Sequence, residues 1–272
     1  MNGFPLVIAH RGASGLAPEN TALAVARAIA LGADMVEVDV RLTRDGHPVI
    51  LHDPVIGRTV RWPTGSAGAR PVRRRIANLT LAHIRRMDAG SWWSHACAGL
   101  PVPTLDDVLD QCAGRIAVNL DVKGGRDMRA AARRRLVAHL ERALLARHAK
   151  DWVLISSEDL RLLSLVRTAM PAAWLGVLVG PASRLPQAVR AARRLKAWSL
   201  HLPLALINPE LVRSVHAEGL RLLVYTVNRT PSLRRLIRLG ADGVFTDWPD
   251  RLLAARGVPL AKPISKPARD RQ

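Results

Sequence analysis

A parallel α/β barrel of the (β/α)₈ TIM type is the fold this sequence predicts, and three observations predict it. Short β-rich apolar runs alternate with amphipathic helical stretches along most of the chain. Polar and charged residues gather at the carboxyl ends of those runs, where barrels of this type keep their chemistry. The length, 272 residues, suits one such domain with a full core.

Strand candidates fall at residues 6–9, 35–40, 48–51, 116–121, 152–155, 175–179, 197–200, 222–227 and 243–246. Helix candidates fall at 21–31, 105–112, 128–146, 160–170, 186–195, 209–218 and 231–239. Nine strands for eight staves means that one strand is not a stave. Asn20 or Thr21 caps the first helix. Gly32 and Gly240 stand where helices should end. Residues 54–103, rich in Gly, Pro, Ser and Arg with Trp62, Trp92 and Trp93, break the alternation and read as a lid-like insertion after the His52 strand, with a helical turn or two inside it. The barrel is thus expected over residues 1–255. The basic, Pro-rich residues 256–272 read as a disordered tail.

The net charge is +19 and the pI about 11.6. Only five of the 41 basic residues are lysine, so the excess reads as an arginine bias spread over solvated surfaces. The clusters Arg73-Arg74-Arg75, Arg133-Arg134-Arg135 and Arg193-Arg194 lack the interleaved aromatics of single-strand binders, and no specific nucleic-acid partner is expected. Attraction of an anionic substrate, and weak contact with an anionic membrane surface, remain compatible with the charge. No run of eighteen apolar residues is present, and the N-terminus lacks a signal-peptide pattern. Cys97 and Cys112 form neither a metal-ligand spacing nor a disulfide framework. A reducing, cytoplasmic location is expected.

The strand ends carry the chemistry. Glu37 and Asp39 are two apart and share one face of a strand. Two carboxylates there repel unless a cation lies between them, and oxygen ligands suit a hard divalent ion, Mg²⁺ or Ca²⁺. Salt bridges to neighbouring arginines are the alternative. Asp121 can supply a third oxygen. If Asp45-Gly46 is a two-residue hairpin turn, Asp39 lies opposite His52. His10 and His52 each end a strand near charged groups, and imidazole suits both general acid and general base. Arg11 and Lys123 can hold phosphate oxygens. His83, His139, His148 and His216 read as helix-surface groups, His47 sits at the turn and His95 in the insertion, and no Walker-type phosphate loop is present.

These residues resemble a known family. The run AHRGASGLAPENTALAVARAIALGADMVEVDVRLTRDGHPVILHDPVIGRTV, followed by DAGSWW, LPVPTLDDVLDQC, NLDVK, LLVYTVN and GADGVFTDWPD, is similar to the glycerophosphodiester phosphodiesterases up to about Leu253. The resemblance implies a barrel with one divalent cation at the strand ends. It places His10 and His52 in the acid and base roles, Glu37, Asp39 and Asp121 on the metal, and Arg11 and Lys123 on the phosphate of a small glycerophosphodiester. Glu19 and Asn20 match the family's Glu-Asn-Thr stretch in a mainly structural role. Two departures stand out: the family usually has Glu in place of Asp121 and favours Trp in place of Tyr225. Two other readings use the same residues. One is a lysophospholipase D acting on lysophospholipids. The other is a non-catalytic barrel that binds anions or nucleic acid.

Overall fold

The strands are β1 (Leu6–Ala9), β2 (Met35–Leu42), β3 (Pro48–Ile50), β4 (Ala117–Val122), β5 (Val153–Ser157), β6 (Trp174–Leu178), β7 (Ser199–Pro203), β8 (Arg221–Tyr225) and β9 (Gly243–Thr246). They come from a computed structural model that describes residues 4–62, 74–125 and 128–257. All but β3 pair in parallel. The sheet closes because β1 pairs with both β2 and β9, Val7 lying opposite Val244. The strand that is not a stave is β3, antiparallel to the far end of β2.

The helices are α1 (Ala22–Leu31), α2 (Leu81–Ile84), α3 (Leu105–Cys112), α4 (Ala130–Leu145), α5 (Leu160–Ala169), α6 (Leu185–Arg194), α7 (Pro209–Ala217), α8 (Thr230–Leu239) and α9 (Pro249–Ala255). Apart from α2 they follow strands, or in the case of α3 the insertion, and so complete eight βα units. Thr21, not Asn20, caps α1, its hydroxyl accepting the Ala24 N–H at 3.2 Å. Gly32 (φ 75°) and Gly240 (φ 84°) end α1 and α8 in the left-handed region, as their positions predict. The sequence pattern missed α9, whose seven residues give too few turns for a clear period.

Alternation along each strand separates two faces. The outward residues, such as Val7, Val36, Val38 and Leu120, join helix residues such as Val25, Leu109 and Leu140 in the main core. Full burial of each such side chain contributes about 1.5–3 kcal/mol. The inward residues fall into two zones. Ile8, Met35, Leu154, Leu223 and Phe245, with Trp174 and Trp198 stacked 5.7 Å apart, form an apolar plug. Glu37, Asn119, Ser156 and His201 are buried polar residues. His201 crowds β6 so closely that a Cβ on Gly176 would lie 2.5 Å from its Nε2. Burial pushes the His201 pKa down to about 3, so it sits neutral in the barrel wall.

The insertion carries its own core. Val49 and Leu51 pack with Ile56, Val60, Ile76, Leu79, Ile84 and Val102. The helical turns expected there are α2 and short 3₁₀ turns at Ile76–Asn78 and His95–Cys97. Residues 63–73, which include Arg73, and residues 258–272 of the expected tail lie outside the described residues.

Two expectations need correcting. The hairpin after β2 has a three-residue loop, 44–46. Thr43 N–H donates to the His47 carbonyl, and Gly46 (φ 88°) takes the left-handed position that such a loop needs. Val40 therefore faces Ile50, and Leu51 faces Asp39 through its N–H at 2.9 Å. The pairing of Asp39 with His52 is off by one residue. The arginine cluster at the start of α4 is not uniformly solvated either. Arg133 is buried, with Nε 2.8 Å from Asp159 Oδ2 and its other N–H groups on the Met128 and Gly125 carbonyls. It pins the loop between β4 and α4.

Candidate active site

The site begins with two adjacent staves in register. Glu37 and Asp39 share the inward face of β2, and β4 sets Asp121 directly beside Asp39. Carboxylate oxygens of all three lie within 4.8 Å of one another, and all three residues are buried. Burial and the neighbouring Asp39 push Glu37 up to about 8. Burial raises Asp121 as well. Burial would raise Asp39 too, but Lys123, Arg11 and His52 outweigh it and hold that carboxyl well below the usual range.

The two cations proposed for phosphate lie on these acids in the structure. Lys123 Nζ lies 2.8 Å from Asp39 Oδ1 and also bonds Asp121. Burial disfavours its charge, but the two aspartates more than restore it. Arg11 donates from Nη1 to Glu19 at 2.9 Å, sets Nε 3.2 Å from Asp39 Oδ2, and donates its backbone N–H to Glu37 Oε2 at 2.7 Å. Asn20 holds Asp39 twice: its amide donates to Oδ2 at 2.7 Å, and its carbonyl accepts the Asp39 N–H at 3.1 Å. Asn20 thus positions the acidic cluster directly, and Glu19 does so through Arg11.

Each histidine is oriented by an aspartate. His10 Nδ1 lies 2.7 Å from Asp247 Oδ1, and Asp247 is fixed in turn by Asn228 Nδ2 at 2.7 Å and Ser14 Oγ at 3.0 Å. His52 Nδ1 lies 2.8 Å from Asp53, which Arg58 ties to Glu19. With a carboxylate on each Nδ1, that nitrogen carries the proton and Nε2 is left for chemistry. Burial works to lower the His10 pKa, but Asp247 and Glu37 outweigh it and the net shift is upward. Burial dominates at His52 and lowers it. A cavity of about 810 Å³ opens beside His52, Asp121 and Lys123.

The structure therefore brings Glu37, Asp39, Asp121, Arg11, Lys123 and His52 into one charged network, with His10 beside Glu37. The sequence places Asp53 and Asn228 at strand ends but gives them no role, and it gives none to Asp247 and Arg58. Continuing the alternation of Gly243 and Phe245 one step past β9 reaches Asp247, the signal that could have found it. Tyr225, where Trp was expected, sets its ring 6.5 Å from Phe245 and donates its hydroxyl to the Val179 carbonyl.

The donor set fits a divalent cation. Three buried oxygens converge, and burial leaves Glu37 unable to hold its charge near neutrality without a further cation.

A family description matches residues 10–251, the Glycerophosphoryl diester phosphodiesterase family. The chain belongs to that family. It is 35% identical over 249 residues to a glycerophosphodiester phosphodiesterase of Caldanaerobacter subterraneus subsp. tengcongensis, covering 91% of this chain and 96% of that one. It is 32% identical to a glycerophosphodiester phosphodiesterase of Bacillus subtilis, covering 90% and 84%. Among solved structures, an Oleispira antarctica phosphodiesterase in complex with the product sn-glycerol-3-phosphate superposes with TM-score 0.80 at 28% identity, covering 93% of this chain and 96% of that one. The family match accounts for the closed barrel, and its residue range takes in the whole acidic cluster, both histidines and Asp247. No helix among the described residues is long and apolar enough to cross a membrane.

Proposed function

We propose that the protein hydrolyses glycerophosphodiesters to glycerol 3-phosphate and an alcohol, with His10 and His52 sharing the proton transfers and Glu37, Asp39 and Asp121 holding one divalent cation, Mg²⁺ or Ca²⁺. The observation that carries this reading is the pair of aspartate-oriented imidazoles beside a buried three-carboxylate cluster. Bound there, the cation would supply Lewis-acid stabilisation of the phosphoryl oxygens.

The rest is chemistry of the chain. One imidazole Nε2 takes the proton of the attacking oxygen, and the other gives a proton to the departing alkoxide. Each transfer contributes on the order of 10² to 10⁴ in rate. Arg11 and Lys123 place positive charge where negative charge develops on the phosphoryl group. Lys123 now shares its ammonium between Asp39 and Asp121. A cation on the same oxygens would compete with it and leave the ammonium to the phosphate. Asn20 and Arg58 keep the acids and His52 in place.

The test is substrate choice. Glycerophosphocholine and a lysophosphatidylcholine are offered at equal concentration, and glycerol 3-phosphate and choline are quantified. The reading expects glycerol 3-phosphate from the first. Choline release from the lysolipid alone would transfer the assignment to a lysophospholipase D.

A further inference from the structure

The cavity beside His52, Asp121 and Lys123 runs outward over the carboxyl ends of β4, β5 and β6, as far as Arg161 in the first turn of α5 and Arg184 before α6. Among the described residues its charges do not balance. Lys123 is engaged by Asp39 and Asp121, and Arg133 by Asp159. Arg184 only approaches Glu158, at 3.6 Å, with both side chains about half exposed at 48% and 47%. Arg41 and Arg161 have no carboxylate partner among the described residues.

Arg41 is the better built of the two. It follows Glu37 and Asp39 on the inward face of β2. Its Nε donates to the His52 carbonyl at 2.7 Å, which fixes the guanidinium against the histidine turn. Its remaining N–H groups have no acceptor among the described residues, and the side chain lines the cavity. A guanidinium fork at one end and two exposed ones at the other suit a phosphate better than a water-filled void.

We propose that this outer arm of the cavity, between Arg41 and the pair Arg161 and Arg184, is a subsite for a second anionic group on the substrate. The inference rests on the diesterase reading. The glycerol half of a glycerophosphodiester is uncharged, so the second anion belongs to the alcohol. The preferred alcohol is then a polyol that bears a phosphate monoester. A carboxylate-bearing alcohol shares the chemistry and is the other source of such an anion. Among the described residues Glu158 is the one loosely held acid in this arm, and it disfavours such an anion.

The experiment compares kcat/KM for glycerophosphoinositol 4-phosphate, glycerophosphoinositol, glycerophosphoserine and glycerophosphocholine, using the full chain with a divalent cation. The phosphorylated inositol diester should lead, and its advantage should shrink as salt is raised. Removing Arg161 and Arg184 together should cut its advantage over the unphosphorylated diester by about fivefold per guanidinium. Glu158→Gln should widen that advantage. A lead by glycerophosphoserine would also support the subsite and assign it to carboxylates. Glycerophosphocholine matching or exceeding the anionic diesters would overturn it.

Calorimetric binding of inositol 1,4-bisphosphate to the wild type and the double variant reads the subsite without turnover. If no diester is cleaved but this probe binds and loses affinity in the double variant, the diesterase reading fails and the anion site stands. If diesters are cleaved but the probe binds both proteins alike, the subsite fails and the diesterase reading stands.

Discussion

His10 Nδ1 and Asp247 Oδ1 lie 2.7 Å apart although 237 positions separate them in the chain. Closure of the barrel makes this contact, because β9 returns to pair with β1 and places Asp247 just beyond Thr246. Asn228 and Ser14 aim the carboxylate. The charge on Asp247 is one reason His10 is raised despite its burial.

Asp247→Asn tests that dependence. It removes charge with little change of shape, so the His10 pKa should fall and the limb of the pH–rate profile governed by His10 should move to lower pH. The limb governed by His52 should stay in place. kcat should fall, since the variant amide no longer holds one tautomer of the ring. A profile with both limbs unmoved would show that Asp247 does not act through His10.

Cation binding should release a proton. Glu37, pushed up to about 8, is protonated in the cation-free protein at neutral pH, whereas a ligating carboxylate must be ionised. Titrating Mg²⁺ or Ca²⁺ into stripped protein at pH 7, in buffers of different ionisation enthalpy, should give heats that scale with the buffer. The dependence should vanish well above pH 8 and in Glu37→Gln.

Asn20→Ala should weaken cation affinity by about 10- to 100-fold, because it deletes both hydrogen bonds that orient Asp39. Restoring activity to stripped protein should then need correspondingly more cation. An unchanged requirement would make Asn20 a packing residue only.

The fold was legible because its signals are local. The strand ends at Ala9 and Thr246, the helix-ending glycines Gly32 and Gly240, and the same-face pair Glu37 and Asp39 all follow from spacing along one segment. What stayed hidden depends on atoms far apart in sequence. Nothing near His10 announces Asp247, nothing near Asp159 announces Arg133, and Arg58 meets Glu19 only after the insertion folds back. The hairpin register failed for a smaller reason. Asp-Gly suits both two- and three-residue loops, and one residue of difference carried His52 away from its expected partner.

The Arg133–Asp159 pair should matter for stability. Arg133→Ala removes the guanidinium from Asp159, which keeps only its backbone N–H donors, and frees the loop after β4, a loss of about 1.5–3 kcal/mol by urea unfolding. Burial would raise Asp159, but the Gly125 N–H, Arg133 and the Leu162 N–H outweigh it and lower its pKa. Its contribution is therefore complete above the ordinary carboxylate range and fades as pH falls through the lowered value. The wild type should lose stability over that acidic window more steeply than the variant.

If two histidines and one divalent cation act together on a glycerophosphodiester, turnover needs all three. The direct test measures glycerol 3-phosphate release by stripped wild type, His10→Ala and His52→Ala, each in EDTA and then with Mg²⁺ or Ca²⁺ restored. Release by the wild type is expected only when the cation is present, with a loss of at least about 10² in each variant at saturating cation. Full activity in EDTA, or either variant matching the wild type, would contradict it.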